Sequence, residues 1–155
     1  MMIIWIDADA APRAIKEMVY KAAQRTNSRV NLVANSYMFI PANPLFSVTV
    51  ANSGPDEADR HIEENLTAGD IVITADIPLA AKVVAKGAAA INPAGIEYNE
   101  KNIGGRLATR NLMADLRSAG MESGGPAALS KKNVQDFANI LDRLMTRMLK
   151  AQDER

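Results

Sequence analysis

Short apolar runs alternate with helix-like stretches along most of this chain. The runs predict strands over residues 2–6, 30–34, 47–51, 71–74 and 88–91. The stretches between and after them predict helices over residues 13–25, 57–67, 77–86, 103–118 and 131–150. Regular alternation of strands and helices predicts an α/β fold with three layers, α/β/α, around a mostly parallel central sheet.

Punctuating residues support these boundaries. Pro12 and Pro78 suit the first turns of helices, and Asp56 is a plausible N-cap for the helix over 57–67. The segment Asn35–Pro44 is rich in Pro and Asn, and predicts a loop. A length of 155 residues fits one domain, which we expect over 1–150, followed by a polar tail over 151–155.

Composition removes several kinds of chemistry. The chain has no cysteine, which excludes disulfides, thiolate metal sites and cysteine nucleophiles. Its one histidine, His61, is expected to be solvated on a polar helix face and cannot build a histidine-rich site. The apolar start stops at Asp7, too short for a signal peptide or a membrane span, so a cytoplasmic location is expected.

Charge is balanced overall but unevenly distributed. The formal net charge is zero, which argues against a strong nonspecific grip on nucleic acid. Residues 1–100 hold 8 Lys and Arg against 12 Asp and Glu, whereas residues 101–150 hold 9 against 4. Either an acidic pocket lies beside a basic surface that holds substrate, or the basic helices are simply solvated.

Aspartates follow three of the predicted strands. Asp7 and Asp9 follow the first strand, Asp56 and Asp59 come after the third, and Asp76 follows the fourth. The carboxyl ends of parallel strands meet at one edge of a sheet, where ligands bind. Several carboxylates at one edge repel each other unless a cation neutralises them, and Mg²⁺ and Mn²⁺ prefer such oxygen ligands. The pattern therefore predicts a divalent metal site.

Each aspartate also has a structural interpretation. Asp9 and Asp76 each precede a predicted helix and either cap it or bind metal. Asp56 and Asp59 have the spacing of an N-cap and a first-turn acid, which suits the helix dipole. Asp70 precedes its strand, so we expect it at the opposite end of the sheet as a turn residue.

Basic and glycine-rich positions are candidates for binding phosphates. Arg106 and Arg110 share one face of a predicted helix and either clamp phosphates or form salt bridges to acids such as Asp115. The pair Gly124–Gly125 either offers backbone N–H groups to an anion or forms a plain turn. The Met- and Leu-rich last helix either mediates a homodimer or covers the sheet.

Taken together, the motifs resemble those of the YaiI/YqxD family of uncharacterised bacterial proteins, which is similar to PIN-domain-like nucleases. The matching stretches are Trp5–Ala10, Leu32–Asn35, Asp56–Asp59, Ile73–Ala80 and Ser123–Pro126. The family usually has Cys-Pro after its first acidic motif, where this chain has Ala11–Pro12. A thiol is therefore not expected in any shared chemistry.

The resemblance implies a Mg²⁺- or Mn²⁺-dependent nuclease that hydrolyses phosphodiester bonds, in RNA rather than DNA. The expected catalytic metal ligands are Asp7, Asp59 and Asp76, with Asp9 and Asp56 as additional ligands. The expected substrate-binding residues are Asn35, Arg106, Arg110, Gly124 and Gly125.

Two other functions remain open. One is a non-catalytic RNA-binding or regulatory module with a vestigial metal site, although an aromatic content of 5% argues against a base-stacking platform. The other is a haloacid-dehalogenase-like phosphatase, because Asp7 and Asp9 resemble its paired aspartates. That family has Thr or Val where this chain has Ala11.

Overall fold

The computed structural model describes residues 2–51, 56–109 and 129–153. Six strands are present in these ranges: β1 (Ile3–Asp7), β2 (Arg29–Ala34), β3 (Phe46–Val50), β4 (Ile71–Ile73), β5 (Ala89–Asn92) and β6 (Ile96–Tyr98). Five helical segments accompany them: α1 (Arg13–Thr26), α2 (Glu57–Asn65), α3 (Ile77–Ala85), α4 (103–109) and α5 (Lys131–Asp153).

All six strands form one sheet in the order β3-β2-β1-β4-β5-β6. The first five are parallel to their neighbours, and β6 pairs antiparallel with β5. After β3 the chain crosses back and adds β4 on the free side of β1. The reversal makes the carboxyl ends of β1 and β4 a topological switch point, the place where open α/β sheets bind ligands.

Side chains on successive strand residues enter different cores, which explains the three layers. Ile4 and Ile6 of β1 pack in one core with buried residues of α1 and α5, whereas Trp5 packs in the other with residues of α2 and α3. Both faces of the sheet are therefore covered, and the predicted α/β/α architecture is confirmed.

Most predicted elements lie within two residues of the observed ones. Strand β6 was not predicted. It has three residues, of which only Ile96 and Tyr98 are apolar, and so short a pattern next to a turn does not indicate a strand. The helix predicted over 103–118 is described only as far as residue 109. We expected a polar tail from residue 151, but helix α5 continues to Asp153, so residues 151–153 belong to its last turn.

Helix α5 covers the sheet with its apolar side. Its buried residues are Phe137, Leu141, Leu144 and Met145, spaced four, three and one residues apart along one face. The Met- and Leu-rich face is therefore used inside the molecule. Within the described ranges, we find no helix with the length and apolar character needed to cross a membrane.

Candidate metal centre

Three carboxylates converge at the carboxyl edge of the sheet. Asp56, Asp59 and Asp76 can each present one oxygen so that all three oxygens lie within 4.8 Å of one another. Asp56 immediately precedes α2, Asp59 lies in its first turn, and Asp76 stands between β4 and α3. They line a cleft of about 360 Å³ on the same side as the switch point.

Asp76 is oriented by two backbone hydrogen bonds. Its Oδ1 accepts from the N–H of Leu79 at 2.8 Å, so it caps α3 as one interpretation predicted. Its own N–H donates to Oγ1 of Thr74 at 3.0 Å. Capping fixes the carboxylate in place while leaving it in the cluster, so the structural and the functional interpretations of Asp76 are compatible.

Thr74 joins Asp76 to Asp7 and is the residue that sequence reasoning missed. Its side chain is fully buried, and its hydroxyl donates to Oδ2 of Asp7 at 3.1 Å. One hydroxyl thus positions both the acid that ends β1 and the backbone of the acid that follows β4. The signal in the sequence is a single polar residue at the end of an otherwise apolar strand, which strand propensity alone explains equally well.

Asp7 is buried at the end of the central strand. Burial raises the pKa of this carboxyl above its usual range, the hydrogen bond from Thr74 opposes that rise, and the charges of Asp9 and Asp76 add to it. Asp7 therefore lies within the electrostatic field of the cluster, although it is not among the three acids whose oxygens meet within 4.8 Å.

Asp59 has a strongly raised pKa. Burial, the charges of Asp76 and Asp7, a hydrogen bond with Asp76 and the charge of Asp56 together raise its pKa to about 7. Carboxylates this close cannot all carry full charge without help. Either a proton or a cation must compensate them near neutral pH.

Asp56 has an unusual backbone. It occupies the N-cap position of α2 as predicted, but with a φ of 67° in the left-handed region, and its side chain makes no capping hydrogen bond in the described structure. Left-handed geometry is uncommon outside glycine and clusters at functional sites. The carboxylate of Asp56 therefore lies with those of Asp59 and Asp76 and does not cap the helix.

Asp9 lies beside the cluster and not in it. Its Oδ2 accepts from the backbone N–H of Asn35 at 3.1 Å. Capping of α1 by Asp9 is not observed, because that helix begins after Pro12, and no described side chain caps it. Asn35 thus contributes a backbone donor that ties the end of β2 to the residues after β1.

The predicted phosphate-binding residues are only partly described. Arg106 is exposed on α4, with its guanidinium carbon 5.8 Å from the centre of the Tyr98 ring. It lines a shallow surface together with Ile77, the residue after Asp76, which brings one cation towards the acidic edge. Arg110, Gly124 and Gly125, and Asp115 as a partner, lie outside the described residues.

Asp70 and His61, predicted as a turn residue and a solvated residue, both contact the interior of the protein. Asp70 lies at the opposite end of the sheet, as predicted, but it is buried and accepts hydrogen bonds from Ile3, Trp5 and Thr67. His61 is half-buried, with its ring 6.1 Å from that of Trp5 in an edge-on arrangement. The expectation of a solvated His61 is corrected, because α2 turns that side towards the sheet.

Comparison with known proteins finds relatives along the whole chain. A family model described as "Uncharacterized BCR, YaiI/YqxD family" matches residues 5–147. The chain is 53% identical to a "UPF0178 protein" of Maridesulfovibrio salexigens, covering 96% of this chain and 98% of the relative. It is 54% identical to a "UPF0178 protein" of Trichlorobacter lovleyi, covering 96% and 97% respectively. No solved structure matches the chain.

Proposed function

The chain belongs to the YaiI/YqxD family, and from that premise we propose that it is a metal-dependent nuclease that hydrolyses phosphodiester bonds, in RNA rather than DNA. The observation that carries the proposal is the convergence of Asp56, Asp59 and Asp76 at the switch point of the sheet. The family description assigns no activity, so the proposal depends on the geometry and on the resemblance to PIN-like nucleases.

The residues fit a small divalent cation. Two oxygens on opposite sides of one Mg²⁺ are about 4.2 Å apart, because each ligand lies about 2.1 Å from the ion. Oxygens on adjacent positions of the same octahedron are closer, about 3.0 Å apart. The three carboxylate oxygens lie within 4.8 Å of one another, so modest side-chain movements would bring all three to one ion. Burial and the neighbouring carboxylates raise the pKa of Asp59 to about 7, and a bound cation would offset the part that comes from those charges.

The chain's own residues have distinct tasks in this proposal. Asp59 and Asp76 would hold Mg²⁺ or Mn²⁺ together with Asp56, whose oxygen meets theirs. Asp7, which accepts a hydrogen bond from Thr74, would be the ligand of a second ion. Asp9 would act indirectly, through its charge beside Asp7. When bound, the metal supplies a water of lowered pKa and stabilises negative charge on the phosphorus oxygens.

Substrate phosphates need positive groups beside the acids. In the cleft itself, Arg60 pairs with Glu57 at 3.5 Å and Lys82 pairs with Glu63 at 3.2 Å, so both charges are already engaged. Arg106 has an aromatic contact and remains exposed. We therefore assign phosphate contacts to Arg106, and by the sequence argument to Arg110 and the Gly124–Gly125 pair.

The decisive experiment is cleavage of labelled single-stranded and structured RNA, with the matching DNAs, in Mg²⁺ or Mn²⁺ against EDTA. Asp76→Asn is the informative variant, because Asn is as good an N-cap as Asp and keeps α3 intact while removing the charge. We expect metal-dependent cleavage by the wild type and a loss of about 100-fold or more in the variant.

Asp142→Asn is the matched control, since Asp142 is exposed on α5 and pairs with Arg25 away from the cluster. It should cleave like the wild type. Equal cleavage by all three proteins would point to a contaminating nuclease and overturn the proposal. Absence of cleavage, with metal still stabilising the fold, would identify a non-catalytic binding or regulatory module.

A further inference from the structure

Two aromatic rings stand in solvent a few residues after the carboxyl end of β2. Tyr37 is 74% exposed and Phe39 is 93% exposed, and both lie in the loop that connects β2 to β3. Burying a ring of this size usually contributes to stability, so two exposed rings in one short loop call for a role outside the fold. The chain has seven aromatic residues in all, and these two are its exposed ones among the described residues.

The loop is held in place by the residues that alternate with the rings. Met38 and Ile40 are partly buried and pack against the core that contains α1 and α5. Alternation of inward and outward side chains is the property of an extended segment, so Tyr37 and Phe39 project from the same side. Their exposure is thus imposed by the anchoring of their neighbours.

The loop also begins at the metal centre's edge. Asn35, its first residue, donates its N–H to Asp9, whose charge in turn acts on Asp7. Tyr37 and Phe39 follow two and four residues later, so their Cα atoms are at most about 7 Å and 14 Å of chain from Asn35. Lys16 in the first turns of α1 lies near Asp9 and adds a cation to this side.

We propose that Tyr37 and Phe39 form a stacking platform for unpaired bases of a single-stranded nucleic acid whose backbone runs to the carboxylate cluster. The inference rests on the proposed function and narrows its substrate class from RNA in general to single strands. Two rings two residues apart, at most about 7 Å between their Cα atoms, can contact neighbouring bases of one strand. The low aromatic content therefore does not exclude a platform.

Binding of labelled single-stranded oligonucleotides, followed by fluorescence anisotropy in EDTA, tests the platform without requiring turnover. The probes are a 12-nucleotide RNA, the same RNA as a duplex, and a single strand of abasic sugar-phosphate. For the double variant Tyr37→Ala/Phe39→Ala we expect a loss of affinity of about 100-fold for the single strand, or tenfold per ring. Binding of the abasic strand should be weak and should not change.

Two controls separate stacking from a general surface effect. Val50→Ala removes another exposed apolar side chain near the same edge, and should bind like the wild type. The double variant Tyr37→Phe/Phe39→Tyr keeps both rings and should bind the single strand as the wild type does. If the double alanine variant binds the single strand as tightly as the wild type does, the platform is disproved.

Other outcomes have clear readings. A wild-type dimer that becomes a monomer in the double alanine variant, seen by analytical ultracentrifugation, would assign the rings to contact between copies and overturn the inference. If the wild type cleaves no nucleic acid but the double alanine variant binds the single strand more weakly than the wild type does, the platform is retained and the nuclease is rejected. If the wild type is an active nuclease and the double alanine variant has the same KM for a single-stranded substrate, the platform is rejected and the nuclease is retained.

Discussion

The two ends of the sheet both carry buried or half-buried aspartates, but they treat them differently. At the amino edge, Asp70 is 2% exposed and accepts hydrogen bonds from the N–H of Ile3, the indole of Trp5 and the N–H and hydroxyl of Thr67. At the carboxyl edge, burial and the charges of neighbouring carboxylates raise the pKa of Asp59 to about 7.

The contrast distinguishes a structural acid from a candidate functional one. Donors that surround Asp70 stabilise its charge and lock three segments of chain together. Acids that surround Asp59 destabilise its charge, and the fold tolerates this arrangement where a ligand can correct it. Burial alone therefore says little about function, and the partners of each carboxylate are what decide.

Replacing Asp70 should have the largest effect on stability. Asp70→Ala leaves four donors without their acceptor, the buried indole of Trp5 and three partly buried groups. A buried unpaired donor costs about 1–3 kcal/mol, so we expect a total loss of about 3 kcal/mol or more. Urea denaturation measures it. Asp142→Ala, which removes an exposed ion pair, should cost about 0.5 kcal/mol or less. Equal losses would refute the structural role given to Asp70.

Adding metal should have a somewhat smaller effect, confined to the other edge. Mg²⁺ at 100 times its dissociation constant should raise the free energy of unfolding by about 2.7 kcal/mol. Asp59→Asn and Asp76→Asn should lose this gain, whereas Asp142→Asn should keep it. Thermal melts with Mg²⁺ and EDTA measure the gain, and a gain that survives in Asp59→Asn would place the ion elsewhere.

Stability should depend on pH through Asp59. Its pKa is about 7 in the folded protein against an ordinary value of 3.8, so the folded state keeps a proton that the unfolded state releases. Without metal, stability should therefore fall as pH rises from about 4 to about 7. Because the cleft is open to solvent, we expect a fall of about 1–2 kcal/mol relative to Asp59→Asn.

Metal should reverse this slope. Protons and cations compete for the same carboxylate oxygens, so stabilisation by Mg²⁺ should grow as pH rises through 7. Melts of the wild type and Asp59→Asn across pH 4–8, with and without Mg²⁺, measure both trends. Parallel curves for the two proteins in EDTA would show that Asp59 does not carry the shifted proton.

Among the substitutions in the acidic cluster, Asp56→Gly should change stability least. Glycine adopts a φ of 67° without strain, but it loses more entropy on folding, so the free energy of unfolding should change by less than about 1 kcal/mol. Removing the carboxylate should nevertheless weaken Mg²⁺ binding, which isothermal titration measures. Asp56→Ala, which retains the strain without the charge, is the matched control and should be the less stable of the two.

Much of the fold could be predicted because its signals are local. The apolar run over residues 71–74, and Pro78 at the start of α3, fix their elements without reference to the rest of the chain. Strand β6 could not be found this way, since its pairing with β5 depends on a turn that brings Tyr98 opposite Ala90. Strand order likewise depends on packing across the whole sheet.

The candidate site was predictable in part for the same reason. Asp7 ends β1, while Asp59 and Asp76 follow β3 and β4 along the chain, a placement visible in the sequence, although their catalytic roles stay a prediction. The hydroxyl of Thr74 between Asp7 and Asp76 is invisible without the pairing of β1 with β4. The exposure of Phe39 depends on how its neighbours pack, which no local pattern records.

The position of β1 in the middle of the sheet has a consequence for synthesis. Ile4 pairs with Val30 on one side and with Ile71 on the other. At about 5–20 residues per second, the second partner leaves the ribosome roughly three to thirteen seconds after β1 itself. Throughout that interval the nascent chain has an unpaired strand edge at its centre, so we expect cotranslational chaperones to bind there and to be released when β4 closes the sheet.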